Sequence, residues 1–247
     1  MLLRILGCWT PYPRPLEACS GYLVSTAAAN LLLDCGHGIS AQLTRWLPAE
    51  KLDAVIISHF HPDHYADLYA IRHMIRGAIF LKTRQQPLAV YLPQEPAHLF
   101  EEFAAMPELQ VNAITAGSSF MVGDVEIRPF AVHHSLPSFG FRVENNNQSI
   151  VYTADTSYSK SLLDEVRKGT DLLLCECTLI AAEDELSQQL GHLSTLQVGR
   201  IAREGGVGML LATHFWPGYN VGMLQREIEQ EYQGKLIMAA NTVVVSI

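Results

Sequence analysis

No apolar run in the 247-residue sequence approaches the ~18 residues of a membrane-spanning helix, so no membrane partner is expected. No secretory leader is expected either: Met1 to Trp9 carries Arg4 inside a very short apolar stretch without a small-residue cleavage site, and reads as a first strand. Cysteine is scarce and odd in number. Cys8, Cys19, Cys35, Cys175 and Cys177 suit reduced thiols in a cytoplasm better than a disulfide framework. No C-x2-C pair exists, and Cys175-Glu176-Cys177 has the wrong spacing for a zinc finger. Basic charge is short as well, with 17 Lys and Arg against 25 Asp and Glu and a net charge of −8. That balance opposes nonspecific binding of long nucleic acid, which depends on neutralising phosphates, and leaves small or locally gripped substrates. No Gly-rich phosphate loop follows the first strand, which argues against a doubly wound nucleotide fold. No low-complexity segment, charge run or Ser/Gly linker marks a boundary, so residues 1–247 read as a single domain.

What is present is apolar: 49% hydrophobic residues against 17% charged, enough for a sizeable core. Short β-like runs alternate with helical segments. Strands are expected at Gly21–Ser25, Asn30–Asp34 and Asp53–Ser58. A helix from about Tyr65 to Arg76 follows, with Leu68, Ile71 and Ile75 at helical spacing and Gly77 as its stop. Pro96 to Met106 reads as a further helix with Pro in its first turn. Gly123-Asp124 and Asn145-Asn146-Asn147 mark two hairpins. Then come a helix at 161–168, a strand at 171–175, and a helix at 194–204 capped by Ser194 and stopped by Gly205-Gly206. A strand at 208–213, a helix near 223–232 and a strand at 242–247 complete the chain. Strands and helices in both halves make a two-sheet α/β sandwich with helices outside the simplest packing.

The chemistry concentrates in histidine, of which there are ten. His59-Phe60-His61-Pro62-Asp63-His64 directly follows the apolar run Ala54 to Ser58. Three imidazoles and a carboxylate at a strand end can converge on one point, and nitrogen with carboxylate oxygen suits zinc, manganese or iron. The competing reading, a solvated polar loop, suits a lone histidine better than this hexapeptide. His134, Asp155 and His214 also sit at the ends of apolar strands. Asp155 could bridge two ions, or could cap the turn at Thr156-Ser157; His214 could equally be a satisfied core histidine. His37 lies in a Gly-flanked loop, while His73 and His98 read as helix-surface residues. Arg14 and Arg142 are weak candidates for phosphate contact, and Glu176, after a buried strand, either supports the site from behind or caps a turn.

On these residues the sequence resembles the metallo-β-lactamase superfamily, over nearly the whole chain. The H-x-H-x-D-H motif is His59 to His64, and Asn30 to Gly36 matches the strand before it, with Asp34 a scaffold hydrogen-bonder. The resemblance implies an α/β fold of four αββα layers with two mixed sheets. It also implies metal ligands at His59, His61, Asp63, His64, His134, Asp155 and His214, holding two divalent ions, zinc first with manganese or iron as alternatives. Between His133 and His134, the spacing to Pro137 and Gly140 favours His134 as the ligand, and His133 would point to the opposite face of its strand.

Within the superfamily the sequence is most similar to the ribonuclease Z-type phosphodiesterase branch, through His134 to Arg142, Gly191-His192-Leu193-Ser194 and Thr213-His214-Phe215. That branch implies catalytic roles for Asp63, orienting the attacking hydroxide, and for His192, protonating the leaving alkoxide. The alternative for His192 is a surface residue preceding the helix capped at Ser194. The long Gly/Pro-rich arm of ribonuclease Z is missing, and Trp216-Pro217-Gly218-Tyr219 stands where the branch has Arg-Tyr. The expected function is therefore hydrolysis of a small-molecule or short single-stranded nucleic-acid phosphodiester, by water that two metal ions acidify from a pKa of ~15.7 toward 7. The alternatives are a tRNA 3′-processing endoribonuclease, an acyl hydrolase acting on a lactone, thioester or β-lactam, and a non-catalytic metal scaffold. A homodimer is a further expectation from a related family.

Overall fold

The computed structural model describes residues 1–247. The first sheet is built from β1 (Leu2–Gly7), β2 (Gly21–Ser25), β3 (Asn30–Leu33), β4 (Ala54–Ile56), β5 (Leu88–Leu92) and β6 (Leu109–Ala113). Helices α1 (Ile39–Leu43), α2 (Pro62–Tyr65), α3 (Leu68–Phe80) and α4 (Ala97–Ala104) connect them. The second sheet contains β7 (Phe120–Val122), β8 (Val125–Val132), β9 (Ser138–Asn145), β10 (Gln148–Tyr152), β11 (Leu172–Glu176), β12 (Met209–Thr213) and β13 (Leu236–Met238). Its helices are α5 (Lys160–Val166), α6 (Ser187–Leu190), α7 (Thr195–Gly205) and α8 (Val221–Glu231), and β14 (Val244–Ser246) returns to the first sheet. The strand orders are β14-β1-β2-β3-β4-β5-β6 and β13-β12-β11-β10-β9-β8-β7. In each sheet antiparallel hairpins give way to parallel strands, from β3 to β6 in one and from β10 to β13 in the other.

The layering follows from the two-residue period of a strand. In β3, Leu31 and Leu33 enter the core between the sheets, while Leu32 between them packs against the outer helices with Ile39, Leu43 and Ile71. Strands buried on both faces are what parallel α/β layers require. The second sheet is covered by Leu162, Val198, Ile201, Leu224 and Ile228 from α5, α7 and α8. The four-layer αββα sandwich is therefore as expected. No helix is long and apolar enough to cross a membrane.

Local signals account for the boundaries. Ser194 accepts from the backbone N–H of Gln197, whose side chain returns the bond, and Gly206 (φ +64°) closes α7. Asn146 and Asn147 (φ +47° and +65°) make the β9–β10 turn, and Gly123 (φ +57°) the β7–β8 turn. One expected stop differs: Gly77 lies inside α3, which runs on to Phe80, and the left-handed turn falls at Lys82 (φ +61°). Gly77 has a right-handed helical neighbourhood and open space around its Cα, so nothing at that position ends the helix. The expected helix over 65–76 is also broken at its start, because α2 closes at Tyr65 and Asp67 caps α3 anew. The strands β5, β6 and β13 and helix α1 had no counterpart in the sequence reading.

Candidate metal centre

The strand ends converge at one edge of the sandwich. His59, His61, Asp63 and His64 follow β4, His134 follows β8, Asp155 follows β10, and His214 follows β12. Their nitrogen and oxygen atoms form two groups able to hold metal ions, His59, His61, His134 and Asp155 in one and Asp63, His64 and His214 in the other, and His192 makes a third, overlapping grouping with Asp155 and His214. Asp155 lies between the groups, with Oδ2 at 3.7 Å from His59 Nε2 and 3.8 Å from His134 Nε2, and Oδ1 at 3.3 Å from His64 Nε2 and 3.1 Å from His214 Nε2. All seven expected ligands are thus brought together. Asp155 accepts no hydrogen bond from the turn at Thr156-Ser157, and His214 is buried with Nε2 turned toward His64 and Asp155. His133 is exposed, pairs with Ser157 Oγ (2.7 Å) and belongs to neither group.

Proton accounting assigns the free ring nitrogens. Asp34 accepts from the Ser58 N–H (2.7 Å), Ser58 Oγ (2.8 Å), His64 Nδ1 (2.8 Å) and Tyr152 Oη (2.6 Å). Because the Ser58 hydroxyl donates to Asp34, it accepts from His59 Nδ1 (3.0 Å), which leaves His59 Nε2 with a lone pair. His64 Nε2 is free for the same reason. His134 Nδ1 donates to the Gly191 carbonyl (2.8 Å). Thr178 donates to Glu176 Oε2 (2.7 Å) and accepts from His214 Nδ1 (2.9 Å). Each of these histidines therefore presents Nε2 inward, oriented by a partner at Nδ1, the usual arrangement of a metal-ligating imidazole.

This donor set fits a cation. His64 Nε2 and His214 Nε2 face each other at 3.0 Å, and Asp155 Oδ1 beside them is buried without a hydrogen-bond partner. Three electron-rich atoms in that gap repel unless positive charge lies between them. Without a cation, the charges of Asp155, Asp63 and Asp34 outweigh burial and raise the His64 pKa well above the usual imidazole value, so a proton sits at Nε2 where a metal ion would take its place. Burial keeps His59, His61 and His134 below that value, as neutral ligands should be.

His192 stands at the mouth, its side chain 19% exposed, with Nδ1 at 3.0 Å from Glu176 Oε1 and 4.0 Å from Asp155 Oδ2. Burial lowers its pKa, but the Glu176 charge and hydrogen bond prevail and push it up to about 9. Glu176 also accepts from the Thr156 N–H (2.8 Å), tying the loop after Asp155 to the His192 side. Supporting the site from behind is thus its position here. Asp63 Oδ2 accepts from Thr10 Oγ1 (2.7 Å) and lies 3.5 Å from His214 Nε2. Thr10 and Tyr152 gave no signal in the sequence, since Asp63 and Asp34 lie far away along the chain, and Ser58 and Thr178 gave none although His59 and Glu176 are near neighbours.

The two arginines are held by other groups of the chain. Arg142 is buried, binding Glu165 Oε1 (2.7 Å) and the carbonyls of Glu165 and Gly169. Arg14 donates to the carbonyls of Pro217 and Tyr219 and stacks over Trp9. His37, His73 and His98 are exposed and belong to neither group.

Residues 29–215 match a family described as the β-lactamase superfamily domain. The chain is 32% identical over 240 residues to a probable metallo-hydrolase, YhfI, of Bacillus subtilis, covering 97% of each. The crystal structure of that metallo-β-lactamase fold protein superposes with a TM-score of 0.94, covering 99% of this chain and 98% of the other. Ribonuclease Z of Mycobacterium bovis is 27% identical, covering 89% of this chain and 88% of its own length. Human short-form tRNase Z shares the fold at a TM-score of 0.78 and 23% identity, over 100% of this chain and 99% of that one. With the edge-of-sheet His and Asp groups already in place, these matches establish that the chain belongs to the metallo-β-lactamase superfamily and is a hydrolase of that fold.

Proposed function

We propose that the protein is a phosphodiesterase acting on small or single-stranded phosphodiesters with two divalent ions, zinc foremost. His59, His61 and His134 would hold one ion, and Asp63, His64 and His214 the other, with Asp155 shared. Bound there, such ions supply positive charge for the phosphate oxygens and acidify water at neutral pH. Asp63, with one oxygen engaged by Thr10, orients the attacking water through the other. His192 donates its Nδ1 proton to Glu176 and keeps a second proton at Nε2, ready for the departing alkoxide. Five buried, unpaired thiols suit a reducing cytoplasm.

The observation that carries this reading is the Glu176–His192 pair at the mouth of the ligand cluster. An alkoxide leaving from phosphorus needs a proton donor there, as does a lactone's alkoxide, whereas a thiolate leaving from a thioester does not. On a dinucleotide, His192→Ala should lower turnover by at least ~10², with metal content unchanged. On bis(p-nitrophenyl) phosphate the loss should be smaller, because p-nitrophenolate departs without a proton. Lost metal would make His192 a ligand, and turnover of lactones or β-lactams in place of phosphodiesters would move the assignment to acyl hydrolysis.

A further inference from the structure

Two exposed aromatic rings stand beside the candidate centre and have no role in the chemistry above. Tyr12 is 51% exposed and Trp216 40% exposed, and their rings meet edge to face at 5.9 Å and 73°. Each follows a residue of the site by two positions: Tyr12 follows Thr10, which binds Asp63, and Trp216 follows His214. Two residues of extended chain reach at most ~7 Å, so the Cα atoms of both aromatic residues lie within that distance of a site residue's Cα.

The segments that carry them are fixed. The Thr10 N–H donates to the Phe215 carbonyl (3.1 Å) and the Phe215 N–H to the Cys8 carbonyl (2.8 Å). Arg14 clamps the far side through the Pro217 carbonyl (3.0 and 2.7 Å) and the Tyr219 carbonyl (2.7 Å), with its guanidinium 3.9 Å from the centre of the Trp9 ring. Tyr219 Oη is held in turn by both Glu183 oxygens at 2.9 Å. Rings set at 73° form a corner in which a planar heterocycle can stack on one face while meeting the edge of the other. The nearby cation, Arg14, engages backbone carbonyls through Nε and Nη2.

Resting on the phosphodiesterase reading, we propose that Tyr12 and Trp216 form the seat for one nucleobase of the substrate, so that the enzyme selects nucleoside phosphodiesters over simple alkyl ones. Stacking is indifferent to base identity because every base offers a π-face, so the seat selects for a base and not for a sequence.

The test compares two ligands that differ only in the base, thymidine 5′-monophosphate and 2-deoxyribose 5-phosphate, by calorimetric titration of the metal-replete protein. The expected result is tighter binding of the nucleotide by about fivefold to 140-fold, which is the ~1–3 kcal/mol of one stacked base. Trp216→Ala should collapse that ratio toward one, and Trp216→Phe should keep most of it. Tyr12→Ala, at a separate loop, should lower the ratio too, and serves if Trp216→Ala fails to fold. Equal affinity for the two ligands, or a ratio untouched in both alanine variants, overturns the seat. Parallel assays on bis(p-nitrophenyl) phosphate separate the readings: hydrolysis with equal affinities sinks the base seat alone, whereas base-selective binding without hydrolysis sinks the phosphodiesterase reading.

Discussion

Replacing Asp34 by Asn should weaken metal binding at both ligand groups although Asp34 itself touches neither. The carboxylate takes four donors: Oδ2 accepts from Ser58 Oγ, His64 Nδ1 and Tyr152 Oη, and Oδ1 from the Ser58 N–H. Through His64 it orients one group, and through Ser58 it sets the tautomer of His59 in the other. An amide has one carbonyl oxygen. Placed at Oδ2, it keeps three donors and sets an NH2 against the Ser58 N–H; the flipped amide faces three donors with its NH2. The milder arrangement still leaves a buried donor unpaired at a cost of about 1–3 kcal/mol and loses the charge of the remaining bonds. Partners of this kind typically contribute ~10–100-fold to metal affinity. Asn suits the experiment because Asp34 sits at φ +56°, a conformation that costs Asn less than Ala. The assay is chelator competition on the purified variant with metal stoichiometry read by elemental analysis, alongside urea unfolding of the metal-free protein. Wild-type affinity at every ion in a variant destabilised as expected would refute the claim that Asp34 aims both sets of imidazoles.

Three further outcomes follow from particular contacts. His134→Ala should lose metal while His133→Ala retains it, since His134 faces Asp155 and His133 pairs with Ser157 at the surface; elemental analysis of both variants decides. Arg142→Met should cost about 1–3 kcal/mol in urea unfolding, because the Glu165 and Gly169 carbonyls lose their donor while Lys168 still neutralises the Glu165 carboxylate, and the folded variant keeps its metal and activity. Gly77→Ala should raise stability by about 0.5–1 kcal/mol, since the position is inside α3 with nothing near an added Cβ; destabilisation would contradict the helical assignment.

The legible parts of the molecule were those whose signal is local. The hexapeptide from His59 to His64 carries its ligands within one strand end and one turn, so residue type and spacing suffice. His134, Asp155 and His214 could be read because each ends an apolar run, which in an α/β layer places it at a sheet edge. Ser194 and Gly206 were equally plain, because a helix cap is satisfied within four residues. Arg142 was a candidate for phosphate contact because charge is usually exposed; its true surroundings are set by Glu165 and Gly169, brought against β9 by the packing of α5. Gly77 was misread because a glycine signals a helix end only when its φ turns positive, and sequence does not carry φ.

What no local signal could reveal is the strain concentrated around the ligands. Asp34, Ala154 and His214 all adopt left-handed backbone, at φ +56°, +51° and +62°, each within two residues after its strand. None is glycine, and such a conformation costs a non-glycine residue on the order of 1–2 kcal/mol. Three such turns at three strand ends bend the chain where it must hand a side chain to the common centre: Asp155 directly after Ala154, His214 itself, and the Asp34 carboxylate that aims His64. An isolated peptide would relax each turn. The sandwich holds them because the strands before them are buried on both faces and cannot slide. The core thus does more than support the site: its packing is what keeps several strained residues, far apart in sequence, aimed at one point.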